Sequence, residues 1–188
     1  MTDIALGVRR AALGVRALAV VLGALLVAGA AQVSIPLPGT PVPMTLQPMA
    51  VLLVGGLLGA RLGALSMILY LAMGAAGLPV FTPSAVLLPG VGRLFGATGG
   101  YLLAYPVAAW AVGTVLADGS RVWRVACGVL AGLVLIHLGG LAQLAILTGN
   151  VSAAARFGTI PFLLGDLIKL AVLVPILIRL TPTVRARL

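Results

Sequence analysis

Few side chains in this sequence could do chemistry, and the two that stand out are neighbours: Asp166, the one acid inside an apolar stretch, and Lys169, the one lysine in the chain. They sit in the run Pro161-Phe162-Leu163-Leu164-Gly165-Asp166-Leu167-Ile168-Lys169. A spacing of three places them on one face of a helix. A carboxylate accepts hydrogen bonds from N–H groups and an ammonium attracts an anion, so together they suit a small ligand carrying both N–H donors and a negative charge. The alternative is that they only neutralise one another as an internal pair. Gln47, Tyr101 and Gln143 fall near the same level of the expected spans and could add hydrogen bonds. His137 lies mid-span; it could shuttle protons, although a lone histidine in a span more often makes one hydrogen bond across a helix interface.

The same inventory excludes several classes of function. A single cysteine, Cys127, rules out an intramolecular disulfide framework and a thiolate-rich metal site, and a single histidine makes a histidine-based metal centre equally unexpected. No nucleophile stands beside a base in any local pattern, so neither an enzyme nor a resident cofactor is expected. The phosphate-binding pattern G-x-x-x-x-G-K-S/T is missing, Lys169 being preceded by isoleucine and followed by leucine. Uphill transport would have to be powered by partner proteins or by a coupled ion.

These side chains must be positioned by a membrane protein. Of the 188 residues, 62% are hydrophobic and 8% charged, with a mean hydropathy of +1.24, against roughly a quarter charged in a soluble domain. The formal charge of +9 is spread in ones and twos between apolar runs, not gathered on the solvated face that a nucleic acid requires. Apolar stretches at 12–33, 48–60, 62–77, 98–117, 125–148 and 159–180 read as helices. A backbone in lipid has to satisfy its own hydrogen bonds, and no alternating barrel pattern occurs. The second and third runs, separated by Gly59, Ala60, Arg61 and Leu62, could form one bent helix. Two are preferred, because a span of about 30 residues overshoots the bilayer unless strongly tilted.

With a cytoplasmic amino terminus, six spans leave Arg9, Arg10, Arg16, Arg61, Arg121, Arg124, Arg179, Arg185 and Arg187 inside and only Arg93 and Arg156 outside, as the positive-inside rule requires. The expectation is an all-α membrane protein: a bundle of six transmembrane helices forming a single integral membrane domain over 1–188. Both termini would be cytoplasmic, and the chain would lie in lipid of a bacterial plasma membrane. Arg9 and Arg10, an apolar run and then Ala28, Gly29 and Ala30 look like a cleavable secretory signal; the run is long for one and five more spans follow, so it is read as the first span. Two outer loops are long. The first, Val33 to Thr45, holds four prolines and is stiff and non-helical; the second, Leu78 to Gly100, contains Pro79, Pro83 and Pro89. Long loops in compact proteins are more often functional than idle.

Small residues recur at a spacing of four: Gly55, Gly59 and Gly63, then Gly128 and Gly132, and in the first helix Ala19 with Gly23 and Ala24 with Ala28. Such spacing lets helix backbones approach closely in lipid. In the first helix the two successive pairs mark a flat stripe, read either as internal packing or as a docking face for another membrane protein.

Several segments together resemble one family. They are Gln32-Val33-Ser34-Ile35-Pro36-Leu37-Pro38 through Pro41-Val42-Pro43-Met44-Thr45-Leu46-Gln47, the Gly77-Leu78-Pro79-Val80-Phe81 turn, Gly96-Ala97-Thr98-Gly99-Gly100-Tyr101, and Gly165-Asp166-x-x-Lys169. Their order over roughly residues 15 to 180 looks like that of the BioY family, the biotin-specific substrate-binding (S) components of energy-coupling-factor (ECF) transporters. The resemblance implies a six-helix S component that binds biotin near the outer face, beneath the two outer loops. It also implies a membrane-embedded T component and two ABC-type ATPases as partners, with ATP consumed by those partners only. The stripe Ala19, Gly23, Ala24 and Ala28 would then face the T component. Asp166 and Lys169 match the family motif as ligand-binding residues, and Tyr101 and Gln47 match motif positions.

Biotin also fits the residues' own chemistry: its ureido N–H groups suit Asp166, its carboxylate suits Lys169 or Arg93, and its thiophane ring wants an apolar wall. The chain departs from the family between Phe81 and Gly96, where an asparagine found in some members is absent, and at Leu102, where some members carry arginine. The competing reading is a stand-alone, proton-coupled secondary carrier of a small carboxylate-bearing vitamin, with Asp166 or His137 as its protonation switch.

Overall fold

The computed structural model describes residues 2–84, 87–116 and 121–188, with side chains from residue 12 onward. The side chains of Arg9 and Arg10, residues 85 and 86 of the second loop, and residue 117 at the end of the fourth expected span lie outside that set. The elements in order are α1 (Thr2–Gln32), β1 (Ser34–Ile35), β2 (Met44–Thr45), α2 (Gln47–Ala75), α3 (Gly92–Phe95), α4 (Gly99–Val115), α5 (Val122–Thr148), α6 (Val151–Gly158), a 3-10 turn (Ile160–Phe162) and α7 (Leu163–Arg185). Among the described residues four stretches are long and apolar enough to cross a membrane: Ala12–Gln32, Gln47–Ala75, Val122–Thr148 and Val151–Arg185; Gly99–Val115 is a shorter apolar helix.

α2 is two helical arms joined by a sharp reversal. Gly59 adopts φ 82° and ψ 174°, a conformation that is essentially restricted to glycine. Along an unbroken helix Gln47 and Tyr70 would be about 34 Å apart at 1.5 Å per residue, yet Gln47 Nε2 donates to Tyr70 Oη at 2.5 Å. A Cβ on Gly63 would lie 2.8 Å from Gly55 Cα. The arms 47–58 and 60–75 therefore run antiparallel, and the break foreseen between Gly59 and Leu62 falls at Gly59.

Small residues then set how closely the helices approach. A Cβ on Gly55 would stand 2.5 Å from the Ala109 carbonyl oxygen and 2.7 Å from Ala109 Cα, so α2 touches the α4 backbone directly. Without water to drive association, such close packing is what holds helices together in lipid. The α1 stripe packs against α2 in the same way. A Cβ on Gly23 would meet Ser66 Oγ at 2.6 Å and Val54 Cγ1 at 3.0 Å, one from each arm of α2. Ala24 and Ala28 are buried and Ala19 is half-buried. Small residues report close approach without saying to whom; here the partner is the chain itself. What α1 leaves exposed is bulky: Leu18, Val21, Leu22, Leu25 and Leu26.

Two further departures have local causes. The chain is not wholly helical, because the proline-rich first loop closes on itself as an antiparallel pair with Ser34 opposite Thr45 and Ile35 opposite Met44. The run expected as one helix from 159 is preceded by a separate helix, α6. Gly149 ends α5 in the left-handed region at φ 67°, and Asn150 caps α6 by accepting from the Ala153 N–H at 3.1 Å.

At the end of the bundle away from the long loops, Arg185 donates to the carbonyls of Leu116 and Gly56, each at 2.8 Å, and of Gly113 at 3.3 Å. It thereby ties α7 to α2 and to the last turn of α4. Between this end and the loops lies a core containing Leu52, Val112, Val129, Leu173 and Leu177, all fully buried.

The contact between α2 and α4 yields a direct test. Gly55→Ala is expected to destabilise the purified protein by about 1–3 kcal/mol, through overpacking against the Ala109 backbone. Gly14→Ala, where an added Cβ meets nothing within 4 Å, should leave the melting temperature unchanged or slightly raised. Equal melting temperatures for the two variants would contradict the packing described.

Candidate functional site

Beneath the two long loops, the starts of α2, α4 and α7 converge with the second half of α5. They surround a cavity that opens beneath the loops. Its polar lining comprises Gln47, Arg93, Tyr101, His137, Asp166 and Lys169 with Thr45, Thr82 and Thr98; Pro43, Phe81, Leu102, Leu133, Ile136 and Phe162 supply apolar wall. Five of the six residues singled out as ligand-binding from the sequence thus share one cavity.

At its floor, Lys169 Nζ donates to Asp166 Oδ1 at 2.8 Å, and His137 Nε2 meets Asp166 Oδ2 at 2.5 Å. Less than a tenth of the Asp166 and Lys169 side chains is exposed. Either ion alone costs about 2.5–3.5 kcal/mol at mid-bilayer on insertion scales, so pairing is what makes them tolerable there. One Nζ–H donor of Lys169 faces Asp166, and an ammonium carries three, so the pair is not self-saturated. The arrangement can accept N–H groups on the remaining carboxylate lone pairs and take an anion at the ammonium.

A second network orders the wall. The Gln47 amide nitrogen donates to Tyr70 Oη, while its oxygen accepts from Thr82 Oγ1 at 2.8 Å and Thr45 Oγ1 at 3.3 Å. Tyr70 Oη in turn donates to the Val80 carbonyl at 3.2 Å. One glutamine therefore ties both arms of α2 to both loops, and most of its hydrogen-bonding capacity is already used. Tyr101 is similarly committed: its hydroxyl donates to the Gly158 carbonyl at 2.5 Å, and its ring packs on Gly140, where a methyl group would overlap it. It offers the cavity an aromatic face more than a hydroxyl.

Arg93, only 6% exposed, is fixed by donation from Nε to the Leu88 carbonyl at 2.9 Å. Burial draws its pKa below the ordinary arginine value, but a guanidinium keeps its proton in proteins. The cavity therefore holds two cations to one carboxylate.

Gln143 is the exception. It does not line the cavity; its Nε2 donates to the carbonyls of Leu94 and Gly96 at 3.0 and 2.7 Å, holding the second loop against α5. The first loop is fastened too, by donation from Thr40 Oγ1 to the Phe157 carbonyl at 2.6 Å and by Met44 packed on Gly165, beside Asp166.

Sequence reasoning missed His137 as part of the site, together with Thr82, Phe81 and Phe162. For His137 a signal existed: it is the one histidine of the sequence and stands within the apolar body of α5, and Gly140 three residues on makes room for the Tyr101 ring. The two loop residues gave none, since their approach depends on how the loop folds.

Comparison with known proteins identifies the family. The sequence profile of the BioY family matches residues 5–186. A protein of Thermotoga maritima described as biotin transporter BioY is 42% identical over 159 residues, covering 84% of this chain and 89% of its own. A probable biotin transporter BioY of Pyrococcus horikoshii is 39% identical over 150 residues, covering 80% and 86%. The crystal structure of an S-component for biotin from an ECF-type ABC transporter superposes with a TM-score of 0.77 at 26% identity, over 93% of this chain and 92% of that one. The chain belongs to the BioY family.

Proposed function

We infer that this chain captures biotin and takes part in its uptake as the S component of an ECF-type ABC transporter. The observation that carries the inference is the Asp166–Lys169 pair, standing in a cavity that opens beneath two fastened loops. Asp166 suits the ureido N–H groups. The excess of cations over carboxylates, from Lys169 and Arg93, suits a monoanion, and Phe81, Phe162 and Leu133 suit the thiophane ring and aliphatic tail. The chain lacks a phosphate-binding loop of the P-loop type, and in this reading the free energy for accumulation comes from partners, a T component and two ABC-type ATPases. With the Gly23 stripe buried, the surface left for a membrane partner on α1 is the bulky face around Leu18, Leu22 and Leu25.

We further propose six spans with both termini in the cytoplasm, the two arms of α2 each crossing once. The reversal at Gly59 beside exposed Arg61 supports this count, together with the arginine distribution. The His137–Asp166 contact is what a proton-coupled carrier would also require. That second reading differs in its energy source: it needs no ATPase and is abolished by a proton uncoupler, whereas uptake by the S-component route stops when the partner ATPases are inactivated.

Two measurements check these statements. Purified protein should bind biotin, and Asp166→Asn and Lys169→Ala should each weaken binding at least tenfold, as expected for loss of a hydrogen bond involving a charged group; wild-type affinity in both variants would remove the assigned site. In a Cys127→Ala background, Gly39→Cys should react with a membrane-impermeant thiol reagent on intact cells. Arg61→Cys and Arg187→Cys should react only after permeabilisation, and labelling of residue 61 from outside would overturn the six-span topology.

A further inference from the structure

Asp166 is gripped from two helices. Lys169, one turn along α7, engages Oδ1, while His137 reaches across from α5 to Oδ2. The imidazole is itself confined, edge-on to the Tyr101 ring with centroids 6.3 Å apart and 6.4 Å from the Phe162 ring. Its far nitrogen, Nδ1, is buried without a partner among the described residues. A proton on Nδ1 would be an unmet buried donor, at a cost of about 1–3 kcal/mol. The proton therefore belongs on Nε2, and the ring donates to the carboxylate.

The surroundings show why such a hold matters. On the far side of this contact an apolar groove runs along the outer surface between α5 and α7, lined by the half-exposed Leu130, Val134, Leu138, Leu163 and Leu167. It shares Leu133, His137 and Asp166 with the ligand cavity. Asp166 thus stands between the ligand cavity and that groove. Left to Lys169 alone, three residues away on the same helix, the carboxylate could turn to meet the ammonium with both oxygens.

We propose that His137 is a positioning residue for the ligand site: by holding Oδ2 from α5 it keeps Asp166 turned so that its remaining lone pairs meet the ring N–H groups of the ligand. This rests on the assignment of biotin above and extends it to a residue on another helix. His137 acts through Asp166 and makes no contact with the ligand in this scheme.

Binding to purified full-length protein, measured by calorimetry and competition, tests it with three probes: biotin, biotin methylated on its ureido nitrogens, and biotin with its tail carboxylate converted to a primary amide. His137→Leu is expected to lose roughly ten- to a hundredfold in affinity for biotin, the worth of one hydrogen bond to a charged group. It should lose the same factor for the tail amide, and close to nothing for the ring-methylated probe, because the coupling runs through Asp166 to the ring N–H groups. His137→Gln, which can place an N–H near the position of Nε2, should restore biotin affinity to within about threefold. Should His137→Leu fail to fold, His137→Asn, polar but too short to reach Oδ2, carries the same expectation. An equal loss for all three probes would mean that His137 only supports the fold, and unchanged biotin affinity would mean that it does nothing for the site; either overturns the proposal while leaving biotin capture intact. Absence of biotin binding by the wild type would overturn both.

Discussion

A carboxylate inside an apolar bundle has to be surrounded by donors or it will not stay ionised, and much of this structure can be read as the consequence of that requirement. Asp166 brings its own counter-ion on the next turn of α7, and a second donor arrives from α5. For Lys169 to reach Asp166 the helix must be regular there, which places the break in the chain earlier, at the 3-10 turn before Leu163. For His137 to reach it, α5 must stand close to α7, and Tyr101 must find room on Gly140. The polar cluster therefore constrains helix boundaries and spacing as well as chemistry. A ligand that adds N–H donors and an anion to this cluster completes its hydrogen bonding without adding a buried unpaired charge.

The rest of the bundle follows from the absence of a hydrophobic drive between helices in lipid. Where α2 meets α4, the contact is glycine against backbone, and the reversal at Gly59 lets one 29-residue helical element pack on itself. The same device recurs between α1 and the two arms of α2. Bulky leucines and valines are turned outward on α1, the reverse of a soluble helix. Gly23, Ala24 and Ala28 are inside because they are small, which is the internal-packing reading of the stripe.

Much of the fold was legible because its signals are local. Length and hydropathy located the helices to within a few residues, as at Gly99–Val115 and Val122–Thr148, and prolines marked the loops. The i, i+3 pair of Asp166 and Lys169 was visible for the same reason. What could not be read were encounters between distant segments. Gln143 looked like a ligand group and turned out to serve Leu94 and Gly96, nearly fifty residues away. His137 looked like an interface residue, which it is, but the interface happens to contain Asp166. The separate helix α6 was passed over because its boundary lies in two residues, Gly149 and Asn150, rather than in a change of hydropathy.

The end fastened by Arg185 has a consequence for how the molecule can work. Three main-chain carbonyls from two helices converge on one guanidinium there, and between that knot and Asp166 stand fully buried leucines and valines. Among the described residues the receptacle is therefore a blind well, not a conduit. A solute resting at its floor has no axial route onward, so passage to the opposite compartment requires either that the well be broken open along its length or that the whole vessel change its attitude in the bilayer. Neither is work that a bound vitamin could perform on so tightly knit a body, which is a mechanical reason for such a chain to depend on engines outside itself.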